Sequence, residues 1–167
     1  RRKWQVKLRG PLTPPVISGG RLYVAAKNEH TLHALDAQSG AALWQFIAGA
    51  RIDSPPTIDG PRVMFGCGDG FAYCLRASDG ALVWRFQAAP VERRIVDHGQ
   101  LESPWRVHGS VLLRDGVVYL TAGRSSFLDH GIWIFGLDAR NGLMKYQAHL
   151  DTTMQYRDDA RGNPFLP

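Results

Sequence analysis

Three tryptophans, Trp4, Trp44 and Trp84, stand forty residues apart, and the sequence around them repeats in register. A fixed period of this size is the mark of stacked structural repeats, and it constrains the fold more than any other feature of the chain. Gly40-Ala41-Ala42-Leu43-Trp44-Gln45-Phe46 is matched by Gly80-Ala81-Leu82-Val83-Trp84-Arg85-Phe86. Upstream, Thr13-Pro14-Pro15 is matched by Ser54-Pro55-Pro56. A third unit closes at Asn141-Gly142-Leu143-Met144-Lys145-Tyr146, with Tyr146 in the tryptophan position; it is 22 residues longer than the others.

Within one unit the apolar pattern predicts four short strands, at 15–18, 21–26, 31–36 and 42–47, joined by Gly, Asn, Asp and Ser turns. Such a pattern is a meander. No segment sustains a 3.6-residue period, so no long helix is expected. A lone four-stranded sheet cannot bury both faces, but repeated at a fixed period it stacks face to face around an axis. The predicted fold is therefore all-β: a β-propeller fragment of about three four-stranded blades plus one orphan strand. It forms a single partial domain over 1–167, with the strand at about 3–9, blades at about 10–49, 50–89 and 90–149, and a tail at 150–167. Closed rings use four to eight blades. The sequence is thus expected to be part of a longer chain, its ring completed by the remaining blades or by a second copy. Both ends, at Arg1 and Pro167, read as cuts.

The residues resemble the PQQ-like repeat family, whose members include quinoprotein alcohol dehydrogenases and the outer-membrane assembly lipoprotein BamB. That family's blade motif is Ala-x-Asp-x-x-Thr-Gly-x-x-x-Trp. Here it reads Ala34-Leu35-Asp36-Ala37-Gln38-Ser39-Gly40-Ala41-Ala42-Leu43-Trp44. The second copy keeps Gly80 and Trp84 but has Cys74, Arg76 and Asp79 at the Ala, Asp and Thr positions. The third keeps Asp138 and Gly142, with Gly136, Asn141 and Tyr146 at the others. WD40 repeats have a similar period, but no tryptophan here precedes an aspartate. In the motif the acid bonds local N–H groups and the glycine takes positive φ. The tryptophans are large enough to cement neighbouring blades. Trp4, Trp44, Trp84, Tyr146, Asp36, Gly40, Gly80, Asp138 and Gly142 are accordingly read as structural residues of blade docking.

For the quinoprotein branch the resemblance implies the quinone cofactor PQQ, a vicinal Cys-Cys disulfide and a calcium held by acidic and amide side chains. Cys67 and Cys74 are not vicinal, and no Asp-x-Asp loop is present. PQQ and calcium are therefore disfavoured and no cofactor, metal or catalytic residue is assigned. With a two-residue turn between their strands, Cys67 would face Ala72 and Cys74 would face Phe65, off register for a disulfide. Both are expected to be buried thiols.

The net charge of +5 comes from the first nine residues, which hold five basic residues and no acid. The remainder is balanced, so nucleic acid is an unfavoured partner; the basic end reads as a protected strand edge. No 18-residue apolar run exists, so no membrane-spanning helix is expected. Gly66-x-Gly68-x-Gly70 reads as a hairpin turn and not as a phosphate loop. His30 and His33 lack a third ligand, and Ser125 and Ser126 are not in a nucleophile elbow.

The extra residues of the third unit are the place where function could lie. They bring Arg93, Arg94, His98, Trp105, Arg106, His108, Arg124, Asp129 and His130 into one blade. Long loops on rigid scaffolds often carry binding; the competing reading is an Arg–acid network that braces a widened blade. The leading functional expectation is a non-enzymatic binding or scaffolding propeller with a protein partner. The resemblance places it in the periplasm or outside the cell. The alternatives are a fragment of a quinoprotein oxidoreductase and a carbohydrate- or polyanion-binding surface.

Overall fold

The computed structural model describes residues 3–97 and 99–152. Fourteen strands are described. Blade 1 holds β1 (Val16–Ser18), β2 (Arg21–Ala26), β3 (Thr31–Asp36) and β4 (Ala42–Ile47). Blade 2 holds β5 (Thr57–Asp59), β6 (Arg62–Gly66), β7 (Phe71–Arg76) and β8 (Leu82–Gln87). A two-stranded hairpin follows, β9 (Ile95–Asp97) and β10 (Gln100–Glu102). Blade 3 holds β11 (Leu112–Arg114), β12 (Val117–Ala122), β13 (Ile132–Asp138) and β14 (Met144–Leu150). Each blade is an antiparallel sheet with its strands in sequence order.

Blades meet through faces. One core cluster between blades 1 and 2 is built on Tyr23, Leu32, Ile52, Phe65, Tyr73 and Leu75. A second, between blades 2 and 3, is built on Met64, Trp84, Trp105, Val118, Phe135 and Leu137. β2, β3, β6 and β7 read as near-continuous buried runs: β6 and β7 have a blade on both sides, and β2 and β3 pack on blade 2 with one face.

All three blades share one irregularity. The register shifts between Ala34 and Leu35, between Cys74 and Leu75, and between Gly136 and Leu137. The residue before each shift faces an aromatic ring across the ladder: Ala34 faces Trp44, Cys74 faces Trp84 and Gly136 faces Tyr146. The ring lies over its partner, so the partner must be small. A Cβ on Gly136 would come within 2.7 Å of the Tyr146 ring.

The turn before β4, β8 and β14 is built as the motif requires. Asp36 Oδ1 accepts from the Gln38 and Ser39 amides at 3.0 and 2.7 Å, and from the Ser39 hydroxyl at 2.7 Å. Those bonds, the Ser39 hydroxyl first, hold its carboxyl below the ordinary range. Asp138 is held well below it by Lys145, with help from the Arg140 amide. Blade 2 has Arg76 at this position, and the missing acid returns three residues on: Asp79 binds the Arg76 guanidinium at 2.6 Å and accepts from the Ala81 amide at 3.1 Å.

Two expectations are corrected here. Residues 3–9 join no sheet among the described residues, although Trp4 still donates to the Ala37 carbonyl at 3.3 Å. The Cys67–Cys74 hairpin is out by one residue: Cys74 pairs with Met64, and Gly66 with Ala72. The loop has three residues, not two, because Gly70 takes φ 89° and the Cys67 amide bonds the Phe71 carbonyl. Both thiols are free and buried. The tail beyond Thr152 and His98 lie outside the described residues.

Candidate binding site

In an antiparallel meander the β2–β3 type of loop and the connection to the next blade leave the sheet at the same end. The hairpin β9–β10 (within the connection to blade 3) and the widened β12–β13 loop, 123–131, therefore share one rim of the stack. Hydrogen bonds tie them to it. The Ser103 amide donates to the Gly68 carbonyl at 2.7 Å, and the Gly68 amide to the Arg51 carbonyl at 2.8 Å. Gln100 reaches back over blade 2 to blade 1, where its Oε1 meets His30 Nε2 at 2.9 Å.

Two charge networks form inside the inserts. In the first, Arg106 binds Glu102 at 2.6 Å and Asp97 at 2.5 Å. Glu102 is fully buried, and Arg51, which pairs with Asp53 at 2.8 Å, lies 3.8 Å from it. Arg106 Nε donates to His108 Nε2 at 2.5 Å. Burial and then the Arg106 charge push the His108 pKa below its ordinary value. In the second network Asp129 takes Arg124 at 2.7 Å and Arg93 at 3.3 Å. The Trp105 indole N–H donates to the Asp129 carbonyl at 2.6 Å and joins the two inserts.

This placement sorts the nine sequence candidates. Arg106, His108, Arg93, Arg124 and Asp129 are brought together, but in pairs that satisfy one another. Trp105 is not a surface residue: it is 3% exposed and sits in the core between blades 2 and 3. An aromatic amid charged residues reads like a ligand platform in sequence, and only packing reveals it as a wedge. His130 takes φ 62° at the loop end, and its carbonyl meets His149 Nε2. Arg94 has no carboxylate partner among the described residues and lines a cavity of about 510 Å³ with Asn28, His30, Gly49, Gln100 and Leu101. Sequence reasoning missed Gln100, His30 and Leu101 there, because nothing local marks residues seventy apart as neighbours.

The inserts also expose apolar side chains beside the charged ones. Val96 and Leu101 are cross-strand partners on the open face of the β9–β10 hairpin, 75% and 61% exposed. Phe127 and Leu128 are exposed at the tip of the second insert, as is Val91 at the start of the first.

Comparison with known proteins decides the family. A family model described as "Outer membrane protein assembly factor BamB" matches residues 1–164. The chain belongs to this BamB-type family of PQQ-like repeats. The BamB of Nitrosomonas eutropha is 31% identical over 85 residues, covering 51% of this chain and 20% of that protein. The dehydrogenase subunit of an alcohol dehydrogenase (quinone) from Acetobacter aceti is 27% identical over 150 residues, covering 83% of this chain and 19% of its own length. The chain thus spans about one fifth of these curated relatives. Among solved structures, quinohemoprotein alcohol dehydrogenase from Comamonas testosteroni superposes with a TM-score of 0.68 at 22% identity, over 84% of this chain and 21% of that one. BamB from Moraxella catarrhalis superposes with a TM-score of 0.55 at 22% identity, over 88% and 51%. These superpositions show the propeller fold.

For the quinone branch, the implied vicinal disulfide has no counterpart in this BamB-type chain: Cys67 and Cys74 lie on opposite arms of one hairpin. No three His, Cys, Asp or Glu side chains are gathered to hold a metal ion among the described residues. No described helix is long and apolar enough to cross a membrane.

Proposed function

We propose that this segment is a protein-binding scaffold section of an exported BamB-type propeller, and that its partner docks on the rim formed by the two inserts. One observation carries the reading: Arg106 is held by Glu102 and Asp97, and Arg93 and Arg124 by Asp129, while the apolar side chains Val91, Val96, Leu101, Phe127 and Leu128 of the same inserts are exposed. Ion pairs fix the shape of the inserts, and exposed apolar side chains on a fixed shape are what a protein interface needs. Membership of a family described by an outer-membrane assembly factor supports a periplasmic location and a protein partner. The segment contributes no quinone or calcium site in this reading.

The test is site-specific photocrosslinking in the full-length protein in its own cell. A crosslinker at Phe127 or Val96 is expected to trap one discrete partner, and one at Asp79, in a turn at the opposite rim, is not. Equal labelling at both rims would remove the proposal.

A second reading has the 150-residue similarity to the Acetobacter aceti subunit in its favour: part of a quinone-dependent dehydrogenase. Titration with PQQ and Ca²⁺, followed by dye-linked alcohol oxidation, separates the two. Micromolar binding with turnover would replace the scaffold reading by this one.

A further inference from the structure

We propose that the cavity between the β9–β10 hairpin and blade 1 binds a small organic monoanion, a carboxylate carrying a short apolar chain. Arg94 supplies the first argument. Of the four described insert arginines, Arg93 and Arg124 are neutralised by Asp129 and Arg106 by Glu102 and Asp97. Arg94 alone has no carboxylate among the described residues, and it lines a cavity of about 510 Å³. That volume falls within the usual range for small-molecule sites. A guanidinium presents a planar fork that matches a carboxylate with two parallel hydrogen bonds.

The cavity walls are built and held. Gln100 Nε2 donates to the Asn28 carbonyl at 3.4 Å, which leaves Gln100 Oε1 as the acceptor for His30 Nε2–H at 2.9 Å. His30 itself sits at φ 56°, a left-handed conformation uncommon for residues other than glycine. That conformation closes the Lys27–Glu29 turn, with the His30 amide donating to the Lys27 carbonyl at 3.3 Å. Gly49, also on the wall, cannot be larger: a Cβ there would run into the Asp69 carboxylate. Leu101 gives the cavity an apolar side that continues into exposed Val96.

Charge and shape together select the ligand class. His30 and Gln100 satisfy each other, so among the described residues Arg94 is the cation on this wall without an ion-pair partner, which suits a monoanion better than a dianion such as phosphate. The leucine wall selects for an alkyl chain, worth roughly a factor of three to four in affinity per buried methylene. The inference is independent of the protein-docking reading, because it is read by small-molecule binding and not by crosslinking.

The experiment is calorimetric or NMR titration of the full-length protein with acetate, butyrate, hexanoate, hexanol and inorganic phosphate. Affinity is expected to climb from acetate to hexanoate, with hexanol and phosphate weaker than hexanoate. Arg94→Ala is expected to weaken hexanoate by about tenfold or more, the loss of a charge-assisted bond. Arg93→Ala, which removes a cation already paired, is expected to leave it within about twofold. Four results overturn the proposal: no saturation by hexanoate below about 10 mM, binding that survives Arg94→Ala, phosphate as tight as hexanoate, or hexanol as tight as hexanoate.

Discussion

The indole of Trp84 lies against Gly142, fifty-eight residues away, and donates its N–H to the Ala139 carbonyl at 3.1 Å. Trp44 does the same to Gly80 and the Ala77 carbonyl at 3.0 Å, and Trp4 to Gly40 and Ala37. Each tryptophan belongs to one unit and its glycine to the next. The larger separation in the last pair absorbs the whole 22-residue insert, so the insert leaves the contact between blades unchanged.

Removing these rings should be costly. Trp84→Ala is expected to lose about 3–5 kcal/mol of stability, the usual penalty for emptying a large aromatic site, since Trp84 is 7% exposed. Trp44, half-buried, should fall at or below the low end of that range. Urea unfolding of each variant is the check, and a loss under about 1 kcal/mol at Trp84 would show that the ring does not join the blades.

The glycines are just as constrained. Gly80 and Gly142 have φ of 76° and 72°, and a Cβ would come within 2.6 Å of Trp44 and 2.8 Å of Trp84. Gly80→Ala should therefore destabilise more than the roughly 1 kcal/mol expected from backbone strain alone. The double variant Gly80→Ala with Trp44→Ala should lose less than the two single losses added together, because the clash disappears with the ring. Strict additivity in thermal melts would disprove the contact.

The buried carboxylate of Glu102 should matter far more than the exposed pairs. Glu102→Ala removes the buried carboxylate that Arg106 and Arg51 share, leaving them Asp97 and Asp53, and is expected to lose about 1–3 kcal/mol. Arg93→Ala, at an exposed pair with Asp129, should change stability by less than about 1 kcal/mol and respond to salt. Equal losses for the two would mean that the Glu102 site is wet.

His108 makes stability depend on pH. Its neutral Nε2 accepts from Arg106, and burial lowers its pKa in the folded state. The unfolded chain then binds a proton first, so stability is full above about pH 6.5 and falls as pH drops through the folded value. His33, lowered by burial, adds loss of the same sign. Urea midpoints from pH 8 to 5 should fall, and His108→Gln should reduce the fall. A flat profile in the wild-type protein would contradict the assignment.

Both thiols should be silent in the native state. Burial pushes the Cys74 thiol up to about 12 and Cys67 well above its ordinary value. A thiol reagent at pH 8 should label neither within minutes, and both after denaturation. Fast labelling of the folded protein would show that this blade opens readily.

The repeat period determined that the chain builds stacked four-stranded blades, because a forty-residue unit with strand periodicity can bury its faces only by stacking on copies of itself. Blade 1 follows the predicted strands almost residue for residue, since local alternation and Gly or Asp turns set them. The hairpin at Gly68-Asp69-Gly70 was less legible: composition marks a turn there, but a single extra residue, fixed by the positive φ of Gly70, decides which side chains face each other. The inserts were least legible. Their charged residues announce a special region, yet whether Arg106 meets a ligand or Glu102 depends on contacts that no periodicity encodes. Trp105 and Arg94 differ little as sequence signals. Packing against blades 2 and 3 buries the first, and a hairpin that crosses to His30 leaves the second facing an open cavity, because long-range contacts, and not local propensity, decide which polar groups find partners.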